Sequence, residues 1–219
     1  MLAGQKGYGA NGLQNVLFPF DEMYITNGEQ TSSGSHIGMY AIDFVGWDPQ
    51  TGQSGNYRYP YYAPCDVVCV AKAYNTMVCW QSITNVNRID GTVGITTFGF
   101  GHDNNYPDFT VGEIRLQGQL IGHTGTRVDV GDHCHMETVK GAYANFEVVP
   151  ATGYMKMVNS VSIYDVCGVN DTIIYRGLGY NWRSFSTNTP TPTPTEVVPP
   201  SKFPWVLYAR KLRNKRQNY

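Results

Sequence analysis

No apolar stripe of helical period is sustained anywhere along the 219 residues, and a chain without one does not build a bundle or a coiled coil. Short runs rich in β-branched and aromatic residues recur instead, bounded by turn formers. They are residues 66–74 (DVVCVAKAY), 77–83 (MVCWQSI), 92–100 (TVGITTFGF), 114–121 and 133–139. Arg88-Ile-Asp-Gly91 sets an Asp-Gly turn between two of them and predicts a hairpin. The expected fold is all-β, an antiparallel sheet with hairpins and long loops and no internal repeat. Composition agrees. With 24 Gly and 12 Pro, 13% aromatic and only 15% charged residues, against about 25% charged in an average domain, this is not a disordered acidic or basic chain. Hydrophobic residues make up 42%, enough for a real core.

Residues 187–201 hold Thr189-Pro-Thr-Pro-Thr-Pro-Thr195 and Pro199-Pro200, a pattern that favours an extended, semi-rigid spacer. It divides a folded body, residues 1–186, from a tail, residues 202–219. In the body, residues 150–186 are expected to pack back as additional strands. The formal net charge of −1 conceals a net −7 up to residue 201 and +6 beyond it, from Lys202, Arg210, Lys211, Arg213, Lys215 and Arg216. An acidic body is a poor nucleic-acid binder, because phosphate neutralisation supplies most non-specific affinity. The tail has the charge to hold an anionic polymer. No run of eighteen apolar residues appears, so no membrane-spanning helix is expected. Residues 1–20 lack the charged start and continuous apolar run of a secretion signal, and none is expected. Cys65, Cys69, Cys79, Cys134 and Cys167 are odd in number and form no C-x-x-C pair. Buried free thiols are the expectation, with a thiolate metal site at Cys65, Cys69 and Cys79 the minor alternative.

The five histidines are His36, His102, His123, His133 and His135. In a strand, His133 and His135 project from one face and can enter a single cleft, while Cys134 turns toward the core. Two half-buried histidines that merely hydrogen-bond are the simpler alternative. Asp43 lies in an apolar run (Tyr40, Ala41, Ile42, Phe44, Val45). A lone carboxylate there is costly to bury, so it needs a partner, either a metal ion or a local cap or turn. Two histidines, one aspartate and a water would make the open four-coordinate site of catalytic zinc.

After His36 and Asp43 come Ala63-Pro64, Val68 and Ala71, then Gly101-His102. Val111-Gly112-Glu113, Gly118-Gln119, Ile121-Gly122 and Gly125 follow, then Gly131-Asp132-His133-Cys134-His135-Met136-Glu137. Over roughly residues 18–149 this order resembles the lysostaphin-type zinc endopeptidases that cleave peptidoglycan. The resemblance implies a lysostaphin-type, duplicated-hybrid-motif-like fold with an open groove. It implies Zn2+ held by His36, Asp43 and His135, with His102 and His133 as catalytic histidines and residues 1–186 as the metallopeptidase domain. His123 matches no catalytic position and reads as cleft rim or structural. The family's usual His–Asp pair is four residues apart, whereas His36 and Asp43 are seven apart. A regular strand would send them to opposite faces, so a bulge is required, or a His36 on the preceding loop, with Gly34 and Gly38 permitting the detour.

The implied activity is zinc-assisted amide hydrolysis, with His102 and His133 sharing the roles of base and oxyanion donor in an order left open. No glutamate stands at H-E-x-x-H spacing. The expected substrate is an extended, small-residue wall peptide, a cross-bridge or a stem peptide. Trp47, Tyr57, Tyr59, Tyr61 and Tyr62 either rim the groove or pack the sheet. The longer His–Asp spacing is similar to wall-degrading domains of phage tail-tip proteins and endolysins. The expected partners are therefore bacterial peptidoglycan and, through the tail, anionic wall polymers or other virion tail proteins. The expected locations are the phage tail or the host cytoplasm before lysis. The alternative is a catalytically inactive peptidoglycan-binding or structural virion module.

Overall fold

The computed structural model describes residues 1–20, 22–48, 53–56, 58–128, 130–169, 174–177 and 182–185. The strands in its first half are β1 (Glu22–Asn27), β2 (Ala41–Asp48), β3 (Gln53–Asn56), β4 (Pro60–Tyr62), β5 (Val67–Ala73), β6 (Met77–Ser82), β7 (Val86–Asn87), β8 (Val93–Gly94) and β9 (Thr97–Gly101). After these come β10 (Ile114–Arg115), β11 (Leu120–His123), β12 (Cys134–Val139), β13 (Phe146–Val148), β14 (Met155–Met157), β15 (Ser160–Val161), the short helix α1 (Ile163–Val166) and β16 (Ile174–Gly177). The main sheet runs β10-β5-β6-β9-β12-β2-β1-β16, with β15 added on β12 and β3 on β2. Its pairings are antiparallel except for β1 with β16, which is parallel. The fold is all-β, as the short runs predict.

The boundaries depart from the sequence pattern in two places. Residues 92–100 split into β8, paired with β7 around the Asp-Gly turn, and β9 in the main sheet. Residues 114–121 break into β10 and β11 at Gly118, whose φ of +81° places it in the left-handed region. The break lets the buried Gln117 amide donate to the carbonyls of Asn15 and Pro64, both at 2.8 Å.

Alternation along β2 and β12 divides the molecule. Ile42, Phe44, Cys134 and Met136 point into the principal core with Trp80, Phe98, Phe100, Phe18 and Phe20. Its rings meet edge-on or tilted, Phe18–Phe44 at 5.2 Å and Phe20–Phe44 at 4.9 Å between centroids, geometries that add to area burial. Residues after 150 contribute to this core through Ile163, Val166 and Cys167, and Trp182 packs on Phe18 at 4.6 Å. A second cluster of Met77, Cys79, Val139, Phe146 and Met157 gathers elsewhere. All five cysteines are buried and free. Among the described residues no helix is long and apolar enough to cross a membrane. The described residues all fall within Met1–Thr189. The expected spacer, 187–201, and basic tail, 202–219, lie outside the described residues, as does Tyr57.

Candidate metal and catalytic site

Sheet register assembles most of the site. On the central strand β12, His135 stands opposite Asp43 of β2 on one side and Gly101 of β9 on the other. His102 directly follows β9, and His133 directly precedes β12, where it forms a bridge with Gly125. His36 comes from the turn before β2, where Gly34 and Gly38 have φ of +88° and +69°. The loop placement thus resolves the seven-residue spacing.

One oxygen is the focus. Asp43 Oδ1 lies 3.2 Å from His36 Nε2, 3.0 Å from His135 Nδ1 and 3.9 Å from His133 Nε2. The other oxygen, Oδ2, accepts a hydrogen bond from the Asn27 amide at 3.3 Å. Ligand atoms of His36, Asp43 and His135 all fall within 4.8 Å of one another.

The partners of the second ring nitrogens decide the tautomers. His36 Nδ1–H donates to the Gly28 carbonyl at 2.9 Å, so in the neutral ring its Nε2 carries a lone pair toward Asp43. That nitrogen is buried without a hydrogen-bond partner. A lone pair facing a carboxylate oxygen is repulsive unless a cation sits between them, and a buried unsatisfied acceptor is itself costly. His135 lies between two carboxylates, with Nε2 3.2 Å from Glu137 Oε1. A histidine that donates one nitrogen to a carboxylate and offers the other is the usual arrangement at zinc. The donor set of two imidazoles and one carboxylate, with its orphaned nitrogen, fits Zn2+.

The charges follow from these contacts. Burial pushes the Asp43 carboxyl up, but the neighbouring imidazoles of His135 and His36 outweigh it and hold the group far below the usual carboxylate range. Burial likewise pushes His135 down, and its bonds to Asp43 and Glu137 overturn this and raise it to about 10. His102 goes the other way, lowered to about 4 by burial and by neighbouring His133.

His102 is the most constrained of the five. Its φ is +72°, a conformation that side-chain-bearing residues occupy at a cost. Its N–H donates to Thr76 Oγ1 at 3.0 Å and its Nδ1–H to the Arg127 carbonyl at 3.1 Å. The Arg127 guanidinium binds the carbonyl and the side chain of Asn75, at the tip of the β5–β6 hairpin, and lies 4.7 Å from the centre of the Tyr106 ring. Gly125 is required by close approach, since a Cβ there would meet the His102 carbonyl oxygen at 2.3 Å. The rings of His102 and His133 are 4.3 Å apart. His133 Nδ1–H donates to the Gly131 carbonyl at 2.6 Å.

These groups open on a cleft of about 420 Å³ that contains His36, Asp43, His102, His133 and His135. His123 is not part of it. It borders a separate cavity of about 190 Å³, and its N–H donates to Asp103 Oδ2 at 2.8 Å. Of the two readings for the tyrosines, packing holds for Tyr59 and Tyr61. Tyr61 is a buried core residue, stacked on Phe100 at 4.8 Å, and Tyr59 packs against the same core. Tyr74, Phe146 and Tyr154 line the cleft instead. Glu137, which is 1% exposed, was also legible as a third inward position, since alternation carries the face of His133 and His135 on to it.

Comparison with known proteins finds one sequence relative and two structural likenesses. Over 181 residues the chain is 37% identical to Morphogenesis protein 1 of Bacillus phage B103, covering 81% of this chain and 46% of that protein. The chain therefore spans under half the length of this relative. Among solved structures, a zinc-containing peptidase from Vibrio cholerae matches with a TM-score of 0.38 and 16% identity, over 60% of this chain and 39% of that one. The antimicrobial peptidase lysostaphin from Staphylococcus simulans matches with a TM-score of 0.33 and 21% identity, over 68% and 47%. No family model matches the sequence.

Proposed function

We propose that this protein is a zinc-dependent endopeptidase that hydrolyses peptide bonds of bacterial peptidoglycan. The observation that carries the reading is the convergence on Asp43 Oδ1, where a buried lone pair of His36 and Nδ1 of His135 face one carboxylate oxygen. His36, Asp43 and His135 would hold the metal. When bound there, zinc supplies acidification of water and polarisation of the scissile carbonyl. His102 is then neutral at pH 7 and has Nε2 as its basic nitrogen, because Nδ1 keeps its proton on Arg127. That makes it the general base. His133, whose ring lies 4.3 Å from that of His102, is the remaining donor for the developing oxyanion. Groups in such roles are each worth about 10²–10⁴-fold in rate.

The wall substrate is supported by the ordered motifs from His36 to Glu137, and the phage setting by the phage relative. In this reading residues 1–186 are the catalytic domain, 187–201 a spacer, and 202–219 a basic tail for anionic wall polymers or other virion tail proteins. The protein works in the phage particle during wall penetration, or in the host at lysis. Metal analysis tests the centre: zinc near one per chain in the protein, and its loss in His135→Ala, are expected. Digestion of purified walls is expected to release amino groups and no reducing ends. Reducing ends would make it a glycosidase. A zinc-loaded protein that binds walls without releasing amines would be the inactive binding module.

A further inference from the structure

His102 and His133 share the cleft with an apolar wall built of Met39, Met77, Phe146 and Met155, together with Tyr74 and Tyr154. Met77 and Phe146 belong to the second hydrophobic cluster, so this wall is an outcrop of core rather than a chance patch. Tyr74 stands edge-on to Phe146 at 5.3 Å and 89°, and Phe146 meets Tyr143 at 6.0 Å. The β13–β14 hairpin, closed by the Val149 N–H donating to the Tyr154 carbonyl at 2.8 Å, supplies Phe146, Tyr154 and Met155. Tyr74 and Tyr154 remain 53% and 55% exposed, the aromatic surface a ligand would cover.

The wall's chemistry selects its occupant. Among the described residues lining the cleft there is no lysine, arginine or glutamate, and Asp43 is the one acid. A charged side chain entering there would lose water and meet no counter-charge beyond the metal donors. Glycine would leave thioether and ring surface facing water. An apolar side chain would displace that water, and methionines adapt their shape to it. We propose that this wall is a subsite for an uncharged, apolar side chain larger than glycine, on a residue flanking the scissile bond. The proposal rests on the endopeptidase reading and narrows its substrate: peptides bearing such a residue are cleaved in preference to glycine-only bridges.

The test compares the zinc-loaded full chain on two sets of quenched fluorescent peptides of equal length. One is all-glycine, and the other carries a single leucine scanned through each position. Amine release from purified walls runs in parallel. At one leucine position kcat/KM is expected to exceed the all-glycine value by about ten-fold or more. In Tyr154→Ala, at an exposed position of that wall, the ratio should shrink while the zinc content holds. Equal rates on both peptide sets, with walls still cleaved, would overturn the subsite alone. A faster all-glycine peptide would do the same. Failure to cleave either the peptides or the walls would remove the endopeptidase reading, and the subsite with it.

Discussion

Phe44, Cys134 and Met136 on one face of the central strands, and Asp43, His135 and Glu137 on the other, are neighbours in sequence under opposite physical demands. The first set is held by shape. Its members sit among aromatic rings in a close-packed core, where volume decides stability and almost any polar group is penalised. The second set is held by direction. Asp43 Oδ1 faces three imidazole nitrogens while Oδ2 is tied to Asn27, and Glu137 divides its oxygens between His135 and the Met157 N–H, the latter at 2.8 Å. A strand serves both because successive side chains leave opposite faces. The rigid core face therefore fixes the positions of the groups on the site face.

Removing one charge on the site face gives the largest expected effect. Asp43→Asn should strip zinc from the protein and lower amine release from walls by about 10³-fold, with the far-ultraviolet dichroism spectrum unchanged; retained zinc would break the assignment. Its neighbour tests the other face. Phe44→Ala should cost about 3–5 kcal/mol of stability in a denaturant titration, while the folded fraction still binds zinc. If zinc leaves before unfolding begins, the two faces are not separable. Smaller again is Arg127→Ala, which unclamps the hairpin tip from the loop that orients His102. A misplaced base should lower kcat by about 10²-fold and leave KM and zinc content as they were, whereas a fall in zinc would mean that Arg127 supports the metal site instead.

A further effect is in pH dependence, and its sign differs within the site face. His102 is depressed to about 4 by burial and His133, below an unfolded value of about 6.5. Its contribution to metal-free stability is complete above that value and is lost as pH falls toward 4. His135, which burial would lower but which Asp43 and Glu137 raise to about 10, behaves in reverse. Its contribution is complete below about 6.5 and is lost as pH climbs through 10. Zinc replaces the proton on His135, so melting temperatures of zinc-loaded protein should keep their alkaline limb where the chelated protein loses it. Identical alkaline limbs would contradict His135 as a ligand.

The sequence exposed the two-faced logic more fully than it exposed the cleft walls. Alternation in Cys134-His135-Met136 assigns core and cleft without further information, and the Asp-Gly at 90–91 marks its hairpin because only certain residues accept that turn. The His36–Asp43 spacing demanded a detour, and Gly34 and Gly38 offered one. The walls are another matter. Tyr74 reads as the end of a strand, yet it and Asn75 take φ of +53° and +59° in the turn that carries Tyr74 to the cleft. Tyr61 sits in a tyrosine-rich run whose alternation does not say which face is inward, and its ring is buried with its hydroxyl bonded to Asp103. Arg127 finds Asn75 across 52 positions, a distance at which local pattern is silent.

The five buried thiols bear on where such a chain can be used. Burial raises all of them, Cys69 to about 11 and the others further, so almost no thiolate exists at neutral pH to react. The fold contains no bond that reduction can break and offers no nucleophile that oxidation can readily capture. Its thiols keep the same form in a reducing cytosol and in an oxidising exterior, and passage from one to the other requires no disulfide to be made or broken.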